Sequence, residues 1–349
     1  MNSSITQTKL SSPFITESGY RIEEPDVMFK TWGTLNTARN NVIVICHALT
    51  GNADADDWFA GLFSDESPID LQEHFVICIN IPGSCYGSTG PLSIDPETGK
   101  PYKASFPEIT VRDMVRFQQQ VLDELDIQGV EMVIGGSLGG MQALEFALMD
   151  TRIRSAVLIA MGKAHTPWAI GISHAQRQAI VSDPDWNGGY YSLDSPPERG
   201  LAVARMMAMI TYRSPRDYEK KFLRRRQPEA EELFQVESYL NYQGKKLANR
   251  FDANSYVALT RSMDTHDISR GRGSFEEVLG RLEIPVLVIG IDSDNLYPTF
   301  EQKELAELIP QARYAEIRSR HGHDAFLIEF DQLNTHLRSF IDKPKTEFA

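Results

Sequence analysis

Residues 131–150 read EMVIGGSLGGMQALEFALMD. A short apolar run, Met132 to Ile134, ends in Gly135-Gly136-Ser137-Leu138-Gly139-Gly140, and the chain leaves with Met141, Leu144, Ala147 and Leu148 at helical spacing. The pattern is strand, Gly-x-Ser-x-Gly turn, helix. A serine at such a turn takes a strained backbone that pushes its hydroxyl outward, and glycines flank it because a Cβ would strike the neighbouring strand or helix. The same short pattern also arises by chance in ordinary glycine-rich strand-to-helix turns, so Ser137 reads as a nucleophile only if the rest of the chain supplies its partners.

Working outward, residues 42–46, 75–79 and 153–161 are apolar runs that suit strands buried on both faces, as in a parallel sheet. Residues 110–125 carry a helix signal, with Thr110 as N-cap, Asp113 at the third helical position, and Val111, Met114, Val115, Val121, Leu122 and Leu125 as the apolar stripe. Strand and helix alternating around the serine turn argue for an α/β fold, a mostly parallel sheet flanked by helices. Residues 20–32 suggest a hairpin turning at Glu24-Pro25-Asp26, and the polar residues 1–12 suggest a loose terminus. From about residue 162 to 279, strand-like runs give way to Met, Arg, Tyr and Gln, with helices expected over 201–210 and 255–263. Sheet patterning returns at 285–291 and 312–317, with helices expected over 300–308 and 324–341. The expected organisation is a core domain, residues 1–161 and 280–349, interrupted by a helical lid insertion, residues 162–279. Residues 343–349 are expected to fray.

The bulk numbers exclude several classes. The chain has 349 residues, 42% of them hydrophobic and 24% charged, values of a globular protein with a sizeable core. A net charge of −13 argues against general nucleic-acid binding. No apolar run approaches the ~18–20 residues of a membrane span, and the first residues carry neither a basic nor an apolar signal segment. The cysteines, Cys46, Cys78 and Cys85, form no disulfide framework, which points to a reducing, cytoplasmic setting.

A serine nucleophile needs a base to take its proton and a carboxylate to orient the base. In α/β-hydrolases these follow in the order Ser, acid, His, on loops after late strands. Here the run 285–291 leads into Asp292-Ser293-Asp294, and the run 312–317 leads into Arg320-His321-Gly322-His323. Residue types alone leave Asp292 and Asp294 both open as the acid, and His321 and His323 both open as the base. An oxyanion hole needs two backbone N–H groups. Leu138, directly after the serine, is expected to give one, and Leu49, in the loop after the early strand, the other. His47 is expected to brace that loop. No residues have metal-ligand spacing.

Longer motifs then add to this reading: His47-Ala48-Leu49-Thr50-Gly51-Asn52, Cys85-Tyr86-Gly87-Ser88-Thr89-Gly90-Pro91, Gln176-Arg177-Gln178-Ala179-Ile180, Ile210-Thr211-Tyr212-Arg213-Ser214, Arg250-Phe251-Asp252-Ala253-Asn254 and Gly322-His323-Asp324-Ala325-Phe326. With the serine turn and Ser293-Asp294-Asn295-Leu296, they span about residues 29–330. Together they resemble the homoserine O-acetyltransferases of the α/β-hydrolase fold. The resemblance implies Asp294 as the acid and His323 as the base. It implies that Arg213 holds the acceptor's carboxylate and Asp324 its ammonium group, matches that suit a guanidinium fork and an anionic side chain. It implies acetyl-CoA as a co-substrate with no permanently bound cofactor, L-homoserine as acceptor in methionine biosynthesis, an acetyl-Ser137 intermediate, and a homodimer formed through the insertion. Relatives using serine as acceptor or succinyl-CoA as donor share nearly all these motifs. Ser84, where the family commonly has glycine, bears on the acceptor, and Tyr86, where a basic residue would suggest succinyl, favours acetyl. Arg224-Arg225-Arg226 reads as a solvated helix end, with CoA phosphates as the competing partner.

Overall fold

The apolar runs form the middle of one eight-stranded sheet in the computed structural model, which describes residues 3–228 and 230–342. In chain order its strands are β1 (Ser3–Lys9), β2 (Asp26–Trp32), β3 (Val42–Cys46), β4 (Phe75–Ile79), β5 (Val130–Gly136), β6 (Ala156–Ile159), β7 (Val286–Ile291) and β8 (Ala312–Ile317). They lie side by side as β1-β2-β4-β3-β5-β6-β7-β8. From β4 to β8 along the sheet all pairings are parallel, whereas β2 is antiparallel to β4 and β1 to β2. Every residue of β3, β6 and β7 is buried. Coverage of both sheet faces explains why these strands read as unbroken apolar runs.

The principal helices are α1 (Val111–Glu124), α2 (Leu138–Met149), α3 (Pro167–Val181), α4 (Glu198–Tyr212), α5 (Pro215–Phe222), α6 (Gln235–Ala248), α7 (Ala253–Asp264), α8 (Phe275–Leu279), α9 (Thr299–Leu308) and α10 (Phe330–Ile341). Val44, Val133, Leu158 and Val288 join Met114 and Leu144 of α1 and α2 in one core cluster, and Ile45, Ile134, Ile159 and Ile289 join Leu333 and Leu337 of α10 in the other. Alternate residues of each strand thus serve opposite faces, as the pleat requires. Thr110 caps α1 in a reciprocal box: its hydroxyl accepts from Asp113 N at 3.1 Å, and the Asp113 carboxylate accepts from Thr110 N at 3.0 Å. Helices α3 to α8 all lie between β6 and β7 in the chain, with α4 packed against both α3 and α6.

Four sequence expectations differ from the structure. Residues 3–9 are not loose: β1 pairs along its whole length with β2, Ser3 opposite Trp32 through Lys9 opposite Asp26. Both its faces are largely exposed, so no apolar pattern marks it, and the backbone ladder holds it. The hairpin turns earlier than Glu24-Pro25-Asp26. Phe14-Ile15 pairs with Arg21-Ile22 around Gly19, whose φ of 86° suits a glycine, and Asp26 starts a strand whose partners are β1 and β4. The insertion is not wholly helical, since Arg226–Gln227 and Ala230–Phe234 form a small antiparallel pair. The helix expected over 324–341 is broken. Gly322–Leu327 is a 3-10 turn and α10 starts at Phe330, so His323 and Asp324 sit on a short turn after β8. The expected fraying at 343–349 lies outside the described residues. Among the described residues no helix is long and apolar enough to cross a membrane.

Candidate active site

Ser137 stands between β5 and α2 with φ 56° and ψ −126°, a left-handed conformation that a non-glycine residue adopts only under constraint. The constraint comes from packing. A Cβ at Gly139 would lie 2.1 Å from the Cys46 carbonyl oxygen, and one at Gly135 would lie 2.2 Å from the Gly139 oxygen. The helix therefore starts pressed against β3, and only glycine permits that approach. Ser137 is 7% exposed, its N–H donates to Ile159 O at 2.9 Å, and among the described residues its hydroxyl makes no hydrogen bond.

The two late loops bring one acid and one base together. His323 Nδ1 lies 2.7 Å from Asp294 Oδ2, with both side chains almost fully buried. Asp294 Oδ1 accepts from the N–H groups of Leu296 at 2.8 Å and Tyr297 at 3.0 Å, which fixes the carboxylate before it meets the imidazole. Asp292 instead accepts from Ser319 N at 2.9 Å, and His321 faces Asp217 at 2.9 Å. Burial alone would lower the pKa of His323. The Asp294 charge and hydrogen bond, with the Asp324 charge, outweigh it and raise the pKa. The rings of Tyr212, Tyr297 and Phe326 surround the imidazole with centroids 5.6, 5.4 and 5.8 Å away.

The loop after β3 faces the start of α2. Leu138 is the first residue of α2, so its N–H has no intrahelical acceptor. Among the described residues the Leu49 N–H also meets no acceptor. Gln142, which the sequence did not single out, ties the two segments together: its amide donates to His47 O and to Leu138 O, both at 3.1 Å, and accepts from Gln118 at 2.9 Å. Its signature in the sequence is a lone polar residue within the apolar and small run Leu138 to Leu144. His47 is fully buried, and burial lowers its pKa to about 4, so it is neutral. It accepts from Ile81 N at 3.3 Å through Nε2 and lies 3.0 Å from Ala48 O through Nδ1, bracing the loop as expected.

Arg213 and Asp324 meet each other in an ion pair of 2.9 Å, and Arg213 also lies 3.4 Å from Asp217. Burial raises the pKa of Asp324, and the charges of Arg213, His323 and Arg205 partly offset that rise. Arg205, which the sequence did not single out, lies on α4 over the Tyr212 ring at 5.6 Å, and among the described residues no carboxylate pairs with it. Arg225 and Arg226 donate to the backbone carbonyls of Phe222, Lys221 and Glu232, and Arg224 and Arg226 lie over Phe234. Their engagement is local and exposed. Among the described residues no group of three or more His, Cys, Asp or Glu side chains could hold a metal ion.

A serine elbow after β5, a buried Asp–His pair after β7 and β8, and two free N–H groups beside the elbow define the α/β-hydrolase fold, whose family profile matches residues 41–330. The homoserine O-acetyltransferase of Chlorobium chlorochromatii (strain CaD3) is 51% identical over 336 residues, covering 95% of this chain and 94% of that protein. The homoserine O-acetyltransferase of Nostoc punctiforme (strain ATCC 29133 / PCC 73102) is 52% identical over 332 residues, covering 93% of each. The crystal structure of homoserine O-acetyltransferase from Bacillus anthracis superposes with a TM-score of 0.91 at 27% identity, covering 98% of both chains. The chain belongs to the homoserine O-acetyltransferase family.

Proposed function

We propose that the protein transfers the acetyl group of acetyl-CoA to the hydroxyl of L-homoserine, a step of methionine biosynthesis, through an acetyl-Ser137 intermediate. The observation that carries this reading is the likeness to homoserine O-acetyltransferases over more than nine-tenths of the chain, insertion included. Ser137 Oγ attacks the thioester carbonyl while His323, oriented by Asp294, takes the serine proton. The oxyanion forms against the N–H groups of Leu49 and Leu138. The C–S bond breaks, His323 returns its proton to the leaving sulfur, and CoA departs. His323 then deprotonates the homoserine hydroxyl, which attacks the acetyl carbonyl; the bond from the acyl carbon to Ser137 Oγ breaks, and His323 returns its proton to Ser137. Acetyl-CoA enters as a co-substrate and CoA leaves, with no permanently bound cofactor.

The acceptor is a zwitterion and needs one cation and one anion. Asp324 supplies the anion for its ammonium group. Arg213 faces its carboxylate, and Arg205 is placed to share that role, because Arg213 is already matched by Asp324 and Asp217 while among the described residues no carboxylate forms an ion pair with Arg205. The lid insertion, residues 162–279, carries both arginines and roofs the site, keeping water from the acyl-enzyme. Val203 and Ile210 on α4 and Tyr242 on α6 are exposed apolar side chains, which supports a homodimer formed through the insertion. Sedimentation of the purified protein as a monomer at micromolar concentration would remove that part. Three free cysteines, two of them buried, fit a cytoplasmic setting.

The test is a matrix of L-homoserine and L-serine against acetyl-CoA and succinyl-CoA, followed by thiol release. The expected result is turnover with homoserine and acetyl-CoA that gives parallel double-reciprocal lines. Turnover with serine alone would overturn the acceptor, preference for succinyl-CoA the donor, and acceptor-independent turnover the transferase assignment. Intersecting lines would overturn the acetyl-serine route.

A further inference from the structure

A second array of buried polar side chains lies behind the Asp294–His323 pair. Tyr297 is fully buried. Its N–H donates to Asp294 Oδ1 at 3.0 Å, its ring packs on the His323 imidazole with centroids 5.4 Å apart, and its hydroxyl lies 3.0 Å from His165 Nδ1. The other nitrogen of His165, Nε2, faces Ser173 Oγ at 3.4 Å and Asp264 Oδ1 at 3.8 Å. Asp264 Oδ2 pairs with Arg177 at 2.6 Å, and Asp264 Oδ1 is buried without a hydrogen bond of its own. Arg177 belongs to the Gln176-Arg177-Gln178 motif, which the proposed chemistry leaves without a role. Ser173 and Arg177 lie on α3, and Asp264 ends α7. The array therefore runs from the insertion to the acid loop after β7.

The chemistry of each member sets the direction of the hydrogen bonds. Burial, with the charges of His266 and Arg177, pushes the pKa of His165 down to about 3, so the imidazole is neutral and has one donor and one acceptor nitrogen. The hydrogen bond of Nε2 is to Ser173, and the Asp264 charge 3.8 Å away favours the tautomer that keeps the proton on Nε2, so that Nδ1 accepts the hydrogen of the Tyr297 hydroxyl. That bond anchors the far end of the ring that packs, tilted, on His323. The near end of the same residue is anchored by its N–H on Asp294. Tyr297 thus touches both members of the acid–base pair, and a side chain held by the insertion fixes its orientation.

We infer that Asp264, His165 and Tyr297 form a positioning relay through which insertion helices α3 and α7 hold Asp294 and His323 in register. The inference rests on the reading of Asp294 and His323 as acid and base. None of the three residues touches the reacting atoms. Their effect is on the coupling of Asp294 to His323, and hence on the pH at which His323 loses its proton. The charged groups facing His323 are Asp294 and Asp324, with Tyr212 and Tyr297 against its ring. Glu301, on α9, has its pKa raised to about 7 by burial, with the charges of Asp294 and Glu304 adding to the rise.

The experiment measures kcat and both KM values against pH for the full chain and for Tyr297→Phe, His165→Leu, His165→Gln and the Tyr297→Phe/His165→Leu double variant. Tyr297→Phe keeps the ring and the N–H but loses the bond to His165. We expect kcat to fall about tenfold in Tyr297→Phe and in His165→Leu. The acid limb of the profile moves to lower pH in both, because a looser Asp294 contact lets burial lower the pKa of His323. The double variant falls no further than the single ones. His165→Gln recovers most of the rate, since an amide offers an acceptor to the tyrosine and a donor to Asp264. Unchanged kcat and limb in Tyr297→Phe, with only a lower melting temperature, would overturn the relay, as would losses that multiply in the double variant. Lack of acetyl transfer by the unsubstituted protein would instead strike the acid–base reading beneath it.

Discussion

Ser137→Ala is expected to lower kcat for acetyl transfer by about 10⁴ to 10⁶ and to abolish any covalent acetyl adduct detectable by mass spectrometry after mixing with acetyl-CoA. The size follows from what is lost. In a double displacement the serine oxygen is the acceptor of the first half-reaction, and no nearby side chain replaces it: His47 is buried and held by the backbone of Ala48 and Ile81, and Cys85 has its thiol pKa pushed up to about 12 by burial. Binding and the oxyanion N–H groups remain, so a residual rate above background survives. Alanine fits the elbow with less volume, although the positive φ of 56° still disfavours any residue with a Cβ. The fold is expected to persist, and circular dichroism of the variant checks it. A Ser137→Ala protein that retained a tenth of the wild-type rate would exclude the acetyl-serine route.

The second large effect is expected at the acid. Asp294→Asn should lower kcat by about 10⁴ while leaving the melting temperature within a few degrees. Asn keeps the shape and can still accept from Leu296 and Tyr297 through its oxygen. Its amide nitrogen, however, would face His323 Nδ1 as a donor at the distance where the carboxylate now accepts, 2.7 Å. The imidazole would answer by placing its proton on Nε2, the nitrogen that must be free to receive the proton of Ser137. The same substitution removes the charge that raises the pKa of His323 against burial, so the imidazole of the variant should titrate at lower pH. Histidine resonances followed by NMR through acid pH read that shift directly. An imidazole that titrated as in the unsubstituted protein would contradict this account.

The elbow was the most legible part of the chain because all its determinants are local: an apolar run, a glycine cluster and a helical stripe within twenty residues. The parallel strands were legible for a similar reason, since burial on both faces leaves a continuous apolar run. The choice between Asp292 and Asp294, or between His321 and His323, is different in kind. Each pair shares a loop and a chemistry, and they part only through contacts made at long range. Ser319 N engages Asp292, and Asp217 from α5 engages His321. Arg205 and Arg213 show the same limit. Both are helix-end or mid-helix arginines in sequence, and only the three-dimensional placement of Asp217 and Asp324 pairs Arg213 with both, while among the described residues no carboxylate forms an ion pair with Arg205. Strand β1 was hidden for the opposite reason, because a strand exposed on both faces has no pattern to read.

The sheet order places β6 and β7 side by side, with Ala156 opposite Val286 and Ile159 opposite Ile289. The whole run of helices α3 to α8 therefore leaves the sheet from one strand and rejoins it on the adjacent one. Within that run the chain meets itself once more, where Ala164 bridges Asp267 and His165 N donates to His266 O at 2.8 Å, so that α3 to α7 lie beyond a neck. Such a neck works as a graft point. Chain can be added or exchanged beyond it without re-threading a single strand, and the entropy of closing the longer loop grows only with the logarithm of its length. An ancestral sheet could thus keep its attacking serine and try one roof after another, acquiring new acceptors while its own folding problem stayed the same.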